Sequence, residues 1–345
     1  MYLRRFFIRL TSWEYWPFHV VYGPIYLYWI WIGIKARSFF FFNTSNPSIR
    51  YGGFLMESKK EIYELLPKGT FPDTVFCTPG QPFKEIMDEV RNLKLTFPVI
   101  AKPDIGLRGM AVALINSPKE LEQYHKTNHV EYMVQQYISY EHEVGLFYYR
   151  YPGQAKGCIS GIAGKKFLKV SGDGKKTIMD QLLKEDRFIL QLETLKEKYG
   201  NELNEVLPKG EERLLVPFGN HCRGAKFIDI SDQCNDKLRE TMDNLCNNIP
   251  GFYFGRLDIK YNSWEDFCNG KNFSIIELNG AGSEPAHIYD PRHSILYGWK
   301  VIIQHWDVLY KISKLNKERE NLSYLTWQEG RAMLKANGEQ VKMIS

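Results

Sequence analysis

Two apolar stretches late in the chain, FYFGRLDIKY (residues 252–261) and FSIIELNGAGSEP (residues 273–285), interrupt their core residues with charge. Side chains at i and i+2 leave a strand on the same face. Arg256 and Asp258 therefore share a face, and so do Glu277 and Asn279. The polar connection NSWEDFCNGKN brings the second stretch back as a hairpin, which sets Asp258 beside Glu277 and Asn279. Two carboxylates and an amide are costly to bury without a counter-charge. Oxygen donors at a strand end, next to a glycine turn, suit a hard cation such as Mg²⁺. Taken alone, FSIIELN is equally compatible with an edge strand whose polar face is wet.

The rest of the body alternates strand and helix without a strict βαβ order, which predicts an α+β fold built on mainly antiparallel sheets. ESKKEIYELLP and PFKEIMDEVRNL read as amphipathic helices, and FPVIAKP as a strand ending on Lys102. Ser117, Pro118 and Glu120 predict a helix start with a capping box, and Thr177 with Asp180 predicts another, opening a helix over 177–199. YMVQQYI, EVGLFYYR, KKFLKVSG and RLLVPF read as strands, as does the apolar run Ser38–Phe42, and a polar turn containing CISGIAG separates EVGLFYYR from KKFLKVSG. SILYGWKVIIQHWDVLYKI is a long amphipathic helix near the C-terminus. DIGLRGMAV joins two strands through Gly106 and Gly109, so it is no P-loop, although its backbone N–H groups can wrap phosphate. Six cysteines occur with no C-x-x-C pair, and H-E-x-x-H is absent. This argues against zinc and fits a reducing compartment.

Charge is unevenly placed. Residues 1–50 carry Arg4, Arg5, Arg9, Lys35, Arg37 and Arg50 against Glu14 alone, so the whole net charge of +5 resides there. The same segment is dense in Trp, Tyr and Phe, and its uncharged stretch Val20–Ile34 is 15 residues long with Gly23 and Pro24 inside. That is short of the ~20 residues of a spanning helix. An interfacial anchor on anionic lipid is the leading expectation. A buried aromatic or oligomeric contact comes second, and a true span third.

The order of these parts resembles the ATP-grasp superfamily, within it the D-alanine–D-alanine ligase and cyanophycin-synthetase-like carboxylate–amine ligases, over roughly residues 54–290. The resemblance implies two α+β subdomains gripping ATP, with a truncated N-terminal α/β part behind the aromatic segment. The expected boundaries are 1–37 for that segment, 38–98 for the reduced region and 99–312 for the ATP-grasp domain (lobes 99–138 and 139–312), leaving 313–345 as a tail. It further implies Lys59 and Lys102 as phosphate-contacting lysines, and Gly106, Arg108 and Gly109 as a loop over the γ-phosphate. Gln136, Tyr137 and Ile138 would meet adenine through the backbone, with Gln135 where the ligases carry glutamate. Glu143 would hold the ribose hydroxyls. Asp258, Glu277 and Asn279 would be the metal ligands and Arg256 the contact to the transferred phosphoryl group. Arg223 and Asn220, in NHCRGAKFIDIS, are candidates beside the site, and Lys169 is a further phosphate candidate. His287 and His293 lie near the loop GAGSEPAHIYDP, which would carry substrate past the metal.

The reaction so implied uses ATP and two Mg²⁺ ions, with Mn²⁺ as a substitute, to join a carboxylate to an amine or thiol through an acyl phosphate. The partners expected are a small or lipid-linked carboxylate, an amine, an anionic membrane surface and a second copy of the chain, without nucleic acid. The expected location is cytoplasmic, peripheral on the inner face of the membrane. A phosphotransferase and a non-catalytic membrane-associated ATP-binding protein are the alternatives.

Overall fold

The computed structural model describes residues 2–106, 109–216, 219 and 224–344. The chain opens with helices α1 (Tyr2–Thr11), α2 (Phe18–Tyr22) and α3 (Tyr26–Ala36), followed after an irregular segment by α4 (Lys59–Leu65). A four-stranded antiparallel sheet comes next, built from β1 (Thr74–Cys77), β2 (Val99–Pro103), β3 (Ala113–Ile115) and β4 (Tyr132–Gln136) in the order β1-β4-β2-β3. Helices α5 (Phe83–Asn92) and α6 (Pro118–Thr127) connect these strands and bury Ile86, Val90 and Leu121 against Val75, Val99 and Val134. Ser117 caps α6 as expected, but Glu120 reaches back to the Asn116 N–H, one residue earlier than a capping box requires.

A second antiparallel sheet follows. It contains β5 (His142–Tyr149) and β6 (Cys158–Lys166), then continues beyond a side unit. That side unit is the ribbon β7 (Leu168–Ser171), α7 (Ile178–Leu182), α8 (Asp186–Tyr199) and β8 (Glu212–Val216), which packs Leu168, Leu182, Leu192 and Leu215 into a small core of its own. The sheet resumes with β9 (Lys226–Asp229), α9 (Asp236–Asn247), β10 (Phe254–Tyr261), α10 (Trp264–Cys268) and β11 (Phe273–Asn279), in the order β11-β10-β5-β6-β9. The chain closes with α11 (Ile295–Arg319), which runs continuously through position 312, and α12 (Trp327–Ile344).

Period-two alternation divides the faces of this sheet. Leu257, Ile259, Tyr261, Val144, Leu146 and Ile275 point into the main core shared with α9, leaving Arg256, Asp258 and Glu143 on the other side. The far end of that other side is closed by α11 through Phe147, Phe254 and Leu309. His305 on α11 anchors the contact: its ring sits edge-on to Phe147, its Nδ1 faces the Val301 carbonyl at 2.7 Å, and its Nε2 lies 2.9 Å from Ser160 Oγ. Nδ1 must carry the proton, so Nε2 accepts from Ser160. Burial lowers the His305 pKa from 6.5 to about 4. Between those values the unfolded chain binds a proton that the folded chain refuses, so stability falls as pH drops from 6.5 toward 4, by about 3 kcal/mol. Urea midpoints across that pH window should show the loss, and His305→Gln should flatten it.

Four expectations need correction. Ser38–Phe42 is not a strand: Phe41–Thr44 forms a 3₁₀ turn with Phe41 and Phe42 buried. Nearby hydroxyls meet its backbone: Phe40 N–H donates to Ser38 Oγ, and the Phe41 and Phe42 carbonyls accept from Thr44 Oγ1 and Ser45 Oγ. Asn316 Nδ2 donates to the Thr44 and Ser45 carbonyls, and Asn46 bridges Gly52 and Phe254. KKFLKVSG is broken at Phe167 between β6 and β7, which belong to different sheets. The run 177–199 is two helices, the first opened by the expected Thr177–Asp180 capping box. CISGIAG, passed over as a turn, forms most of β6.

The aromatic segment divides between core and surface. Val21, Tyr22 and Ile25 pack with Ile288, Val301 and Ile302, and Ile32 joins Phe41 and Ile312. Among the described residues no helix is long and apolar enough to cross a membrane.

Candidate active site

The polar face of the second sheet carries the site. In the β10–β11 register Asp258 lies directly opposite Glu277, and Arg256 opposite Asn279. On the other flank of β10, Asp258 faces Gly145 and Lys260 faces Glu143 of β5. Gly145 is small for a reason: a Cβ there would meet Asp258 Oδ1 at 3.1 Å and Arg256 Cδ at 3.2 Å. Its absence lets the Arg256 guanidinium lie along the sheet and grip Asp258 at 3.0 and 3.2 Å.

Lys165, at the end of β6, was not singled out from the sequence. Its Nζ binds Glu143 Oε1 at 2.7 Å and lies 3.3 Å from Asp258 Oδ1, with all three side chains buried. Burial disfavours the charge on Lys165, but Asp258 and Glu143 outweigh it and raise the pKa. Burial likewise opposes ionisation of Asp258, and Arg256 with Lys165 overcomes it, holding the carboxyl below its usual range. Lys169 lies elsewhere, in a solvent-exposed pair with Glu212 at 2.8 Å on the β7–β8 ribbon. The lysine that joins the Glu143–Asp258 cluster is thus Lys165.

The first sheet contributes the next cation. Lys102, buried on β2, donates to Tyr63 Oη and to the Ile276 carbonyl, both at 3.2 Å. Tyr63 in turn donates to Ile276 O at 2.7 Å and accepts from Gln135 Nε2 at 2.9 Å. One lysine, one phenol and one amide therefore tie the first sheet to β11, one residue before Glu277. Burial lowers the Lys102 pKa to about 8, with Glu277, Glu143 and Asp258 only partly restoring it. Lys59, at the start of α4, donates to Asp104 O at 2.9 Å and stands 3.9 Å from Glu277 Oε1.

Gln136 spends its backbone N–H on Asp73 O at 2.9 Å. The Ile138 carbonyl accepts from Lys260 Nζ at 3.2 Å, and the same ammonium lies 5.6 Å from the Tyr137 ring centroid. Lys260, another residue not foreseen, thus fastens the segment 136–140 over β10. Gly106 and Gly109 are described, Gly109 with φ +74°. Arg108, Asn220 and Arg223 lie outside the described residues.

The glycine turn after β11 has a packing cause. Gly280 and Gly282 run against Gly52–Phe54 so closely that Ala281 N–H bonds Gly52 O at 3.0 Å and Gly282 N–H bonds Gly53 O at 2.8 Å. A Cβ on Gly280 would lie 2.6 Å from Gly52 O. Glu57 enters from the same segment and accepts the Gly280 N–H at 2.6 Å; burial pushes its pKa up to about 8. Glu284 receives hydrogen bonds from Tyr22 of α2 and, at 3.1 Å, from Tyr289, while its carbonyl accepts from Arg256 at 3.2 Å. The aromatic segment therefore reaches the loop beside the site. His287 is buried, and that burial lowers its pKa, whereas His293 contacts Asp229 Oδ2 at 2.8 Å.

Among the described residues no group of three or more His, Cys, Asp or Glu has metal-holding geometry. The candidate donor set is two carboxylates and one amide. Asn279 is half-buried and its Nδ2 atom, shielded from solvent, has no hydrogen-bond partner among the described residues, so this amide is not committed to the fold. Two acidic oxygen donors and an uncommitted amide fit a hard cation that completes its shell from phosphate and water.

No family model matches the sequence, and no curated protein matches it. Over 72% of its length the chain is similar to the crystal structure of a bifunctional glutathione synthetase from Pasteurella multocida, with 16% identity and a TM-score of 0.38, and it spans 36% of that chain. It is similar over 75% of its length to the VanG D-Ala:D-Ser ligase from Enterococcus faecalis (13% identity, TM-score 0.42, 61% of that chain). A D-alanine–D-alanine ligase from Bacillus anthracis is similar over 76% of the chain (15% identity, TM-score 0.41, 68% of that chain).

Proposed function

We propose that this chain is an ATP-grasp type ligase that uses ATP to join a carboxylate to an amine or a thiol, releasing ADP and phosphate. The observation that carries this reading is the convergence of Lys59, Lys102, Lys165 and Arg256 with Asp258, Glu277 and Asn279 where the two sheets meet. Four cations around two carboxylates and one amide suit a polyphosphate substrate better than they suit a purely structural ion-pair network. Lys102 makes the point sharply: its ammonium is buried against a phenol and a carbonyl, and among the described residues it forms no salt bridge to a carboxylate. Such a charge is poorly compensated until an anion arrives.

In this reading Lys59 and Lys102 hold the phosphates, and Arg256 meets the phosphoryl group in transfer. Glu143 takes the ribose hydroxyls, with Lys165 fixing its orientation. Mg²⁺ would be held by Asp258, Glu277 and Asn279, and when bound it offsets phosphate charge. A substrate carboxylate oxygen attacks the γ-phosphorus, and the bond from that phosphorus to the ADP oxygen breaks. The amine or thiol then attacks the acyl carbon, losing its proton as phosphate departs with the bridging oxygen. No covalent protein intermediate is needed, because positioning and charge supply the rate.

The test is phosphate release from ATP and Mg²⁺ with pools of carboxylates and amines, with products read by mass spectrometry. An amide or thioester with stoichiometric free phosphate supports the proposal. A stable phosphorylated product without free phosphate makes the chain a phosphotransferase. Nucleotide binding without any turnover makes it a binding protein. Lys102→Met should weaken ATP binding about 10- to 100-fold in calorimetry, the scale of one lost charge-assisted hydrogen bond. Unchanged affinity would remove Lys102 from the phosphate site.

A further inference from the structure

Twelve of the nineteen large apolar side chains exposed among the described residues fall within residues 3–39. They are not scattered. On α1, Leu3, Phe6, Phe7 and Leu10 recur at helical spacing on the outer side, while Ile8 is buried. On α3, Leu27, Ile30, Trp31 and Ile34 repeat the pattern, with Leu27 75% and Ile34 65% exposed, while Ile32 and Gly33 face inward. An apolar stripe at the period of the helix that stays exposed marks a surface that another body covers.

Charge says what that cover is. Residues 15–56 contain no Asp or Glu. Lys35 and Arg37 are exposed at the C-terminal end of α3, directly after the apolar stripe. Lys35 lines a depression together with Lys314, Lys317 and Glu318. The adjoining depression is lined by Arg37, Phe39, Lys317 and Trp327. Exposed aromatic rings and a surplus of cations thus occupy one edge of the molecule. Arg4 and Arg5 of α1 are spent on Asp186 and Glu193 of α8, while Arg9 stays exposed on α1 and Lys35 and Arg37 stay exposed beside α3.

We infer that this face docks on the surface of an anionic phospholipid bilayer. Apolar and aromatic side chains enter the headgroup boundary, and Lys35, Arg37 and Lys317 meet lipid phosphate. The helix does not span: α3 has 11 residues, ~16 Å against ~30 Å of hydrocarbon. A second copy of the chain fits less well. Pairing this face with itself sets cations against cations, with only Glu318 in the depression to answer them. The docked face also adjoins the proposed site, because α2 exposes Phe18 and Val20 while Tyr22 holds Glu284. The inference stands on the surface itself and does not depend on the ligase reading.

The experiment is flotation of the full-length protein with vesicles of phosphatidylglycerol and phosphatidylcholine in equal parts, beside vesicles of phosphatidylcholine alone. Binding to the anionic vesicles is expected, at least about tenfold stronger than to the neutral ones and weakened by salt. The triple variant Leu27→Ser/Trp31→Ser/Ile34→Ser changes only exposed positions and should keep its circular dichroism spectrum while losing about tenfold or more in vesicle binding. Lys35→Gln with Lys317→Gln should lower the preference for anionic lipid by about fivefold per lysine. Absence of flotation overturns the inference, and so does unchanged binding by a folded triple variant. A stable dimer in light scattering that the same triple substitution dissociates would instead assign the face to a second copy.

Discussion

Glu277→Gln should lower kcat/KM by about 100- to 1000-fold while leaving the fold as stable as before. The amide keeps the shape of the side chain but removes one negative ligand from the proposed metal site. A loss of about 3–4 kcal/mol in transition-state stabilisation corresponds to that range. Stability is spared because the side chain is 35% exposed and its nearest cation, Lys59, is 3.9 Å away. Pairs of that kind contribute under about 1 kcal/mol. Phosphate release at limiting Mg²⁺ gives the first number and urea denaturation the second. A variant that turns over at the wild-type rate would remove Glu277 from the metal site. The same rate loss accompanied by a collapsed urea midpoint would show a structural role instead.

Asp258→Asn should behave differently, although sequence reasoning treats the two carboxylates alike. Asp258 is buried and carries both Arg256, at 3.0 Å, and Lys165, at 3.3 Å. Lys165 retains Glu143, but Arg256 loses its carboxylate and is left with two neutral acceptors, the Asn amide oxygen and the Glu284 carbonyl, and with an NH₂ group facing it. Removing one partner of a buried charge pair costs about 3–5 kcal/mol. The expected result is therefore a loss of about 3 kcal/mol in urea unfolding together with loss of turnover. The paired change Arg256→Met/Asp258→Asn should recover part of the stability and none of the activity. A single variant as stable as the wild type would contradict the charge network described above.

The contrast shows which parts of the site a one-dimensional reading reaches. Arg256 with Asp258, and Glu277 with Asn279, share faces because the strand period is a local property of the backbone. Their mutual placement also follows locally, since the two strands are neighbours in sequence joined by one short loop. Lys165 and Lys169 share a face of KKFLKVSG when that run reads as one strand, so nothing local separates them; the break at Phe167 puts Lys165 on β6 and Lys169 on β7. Only the pairing of β6 with β5 brings Lys165 to Glu143. Tyr63, Glu57 and Lys260 were hidden for a related reason: nothing adjacent to them in sequence marks the strand or loop they touch.

The apolar run Ser38–Phe42 carries a similar lesson. Four phenylalanines in a row say that the segment is buried, and Phe40, Phe41 and Phe42 are. They do not say whether its backbone groups will be met by a neighbouring strand or by side chains. Here the hydroxyls of Ser38, Thr44 and Ser45 supply bonds to Phe40, Phe41 and Phe42, and the segment turns where a strand is expected.

By itself, then, the sequence determined what short-range stereochemistry and burial control: the antiparallel α+β character, the caps at Ser117 and Thr177, the paired acidic strands, and the basic aromatic N-terminus. Tertiary structure alone decided which lysine neutralises Asp258, which residues bind the first sheet to the second, and which side of the aromatic helices is core and which is surface. The reason is physical. Strand period and helix caps are set by neighbours a few residues away, whereas the protonation and pairing of a buried charge depend on every group that excludes water from it.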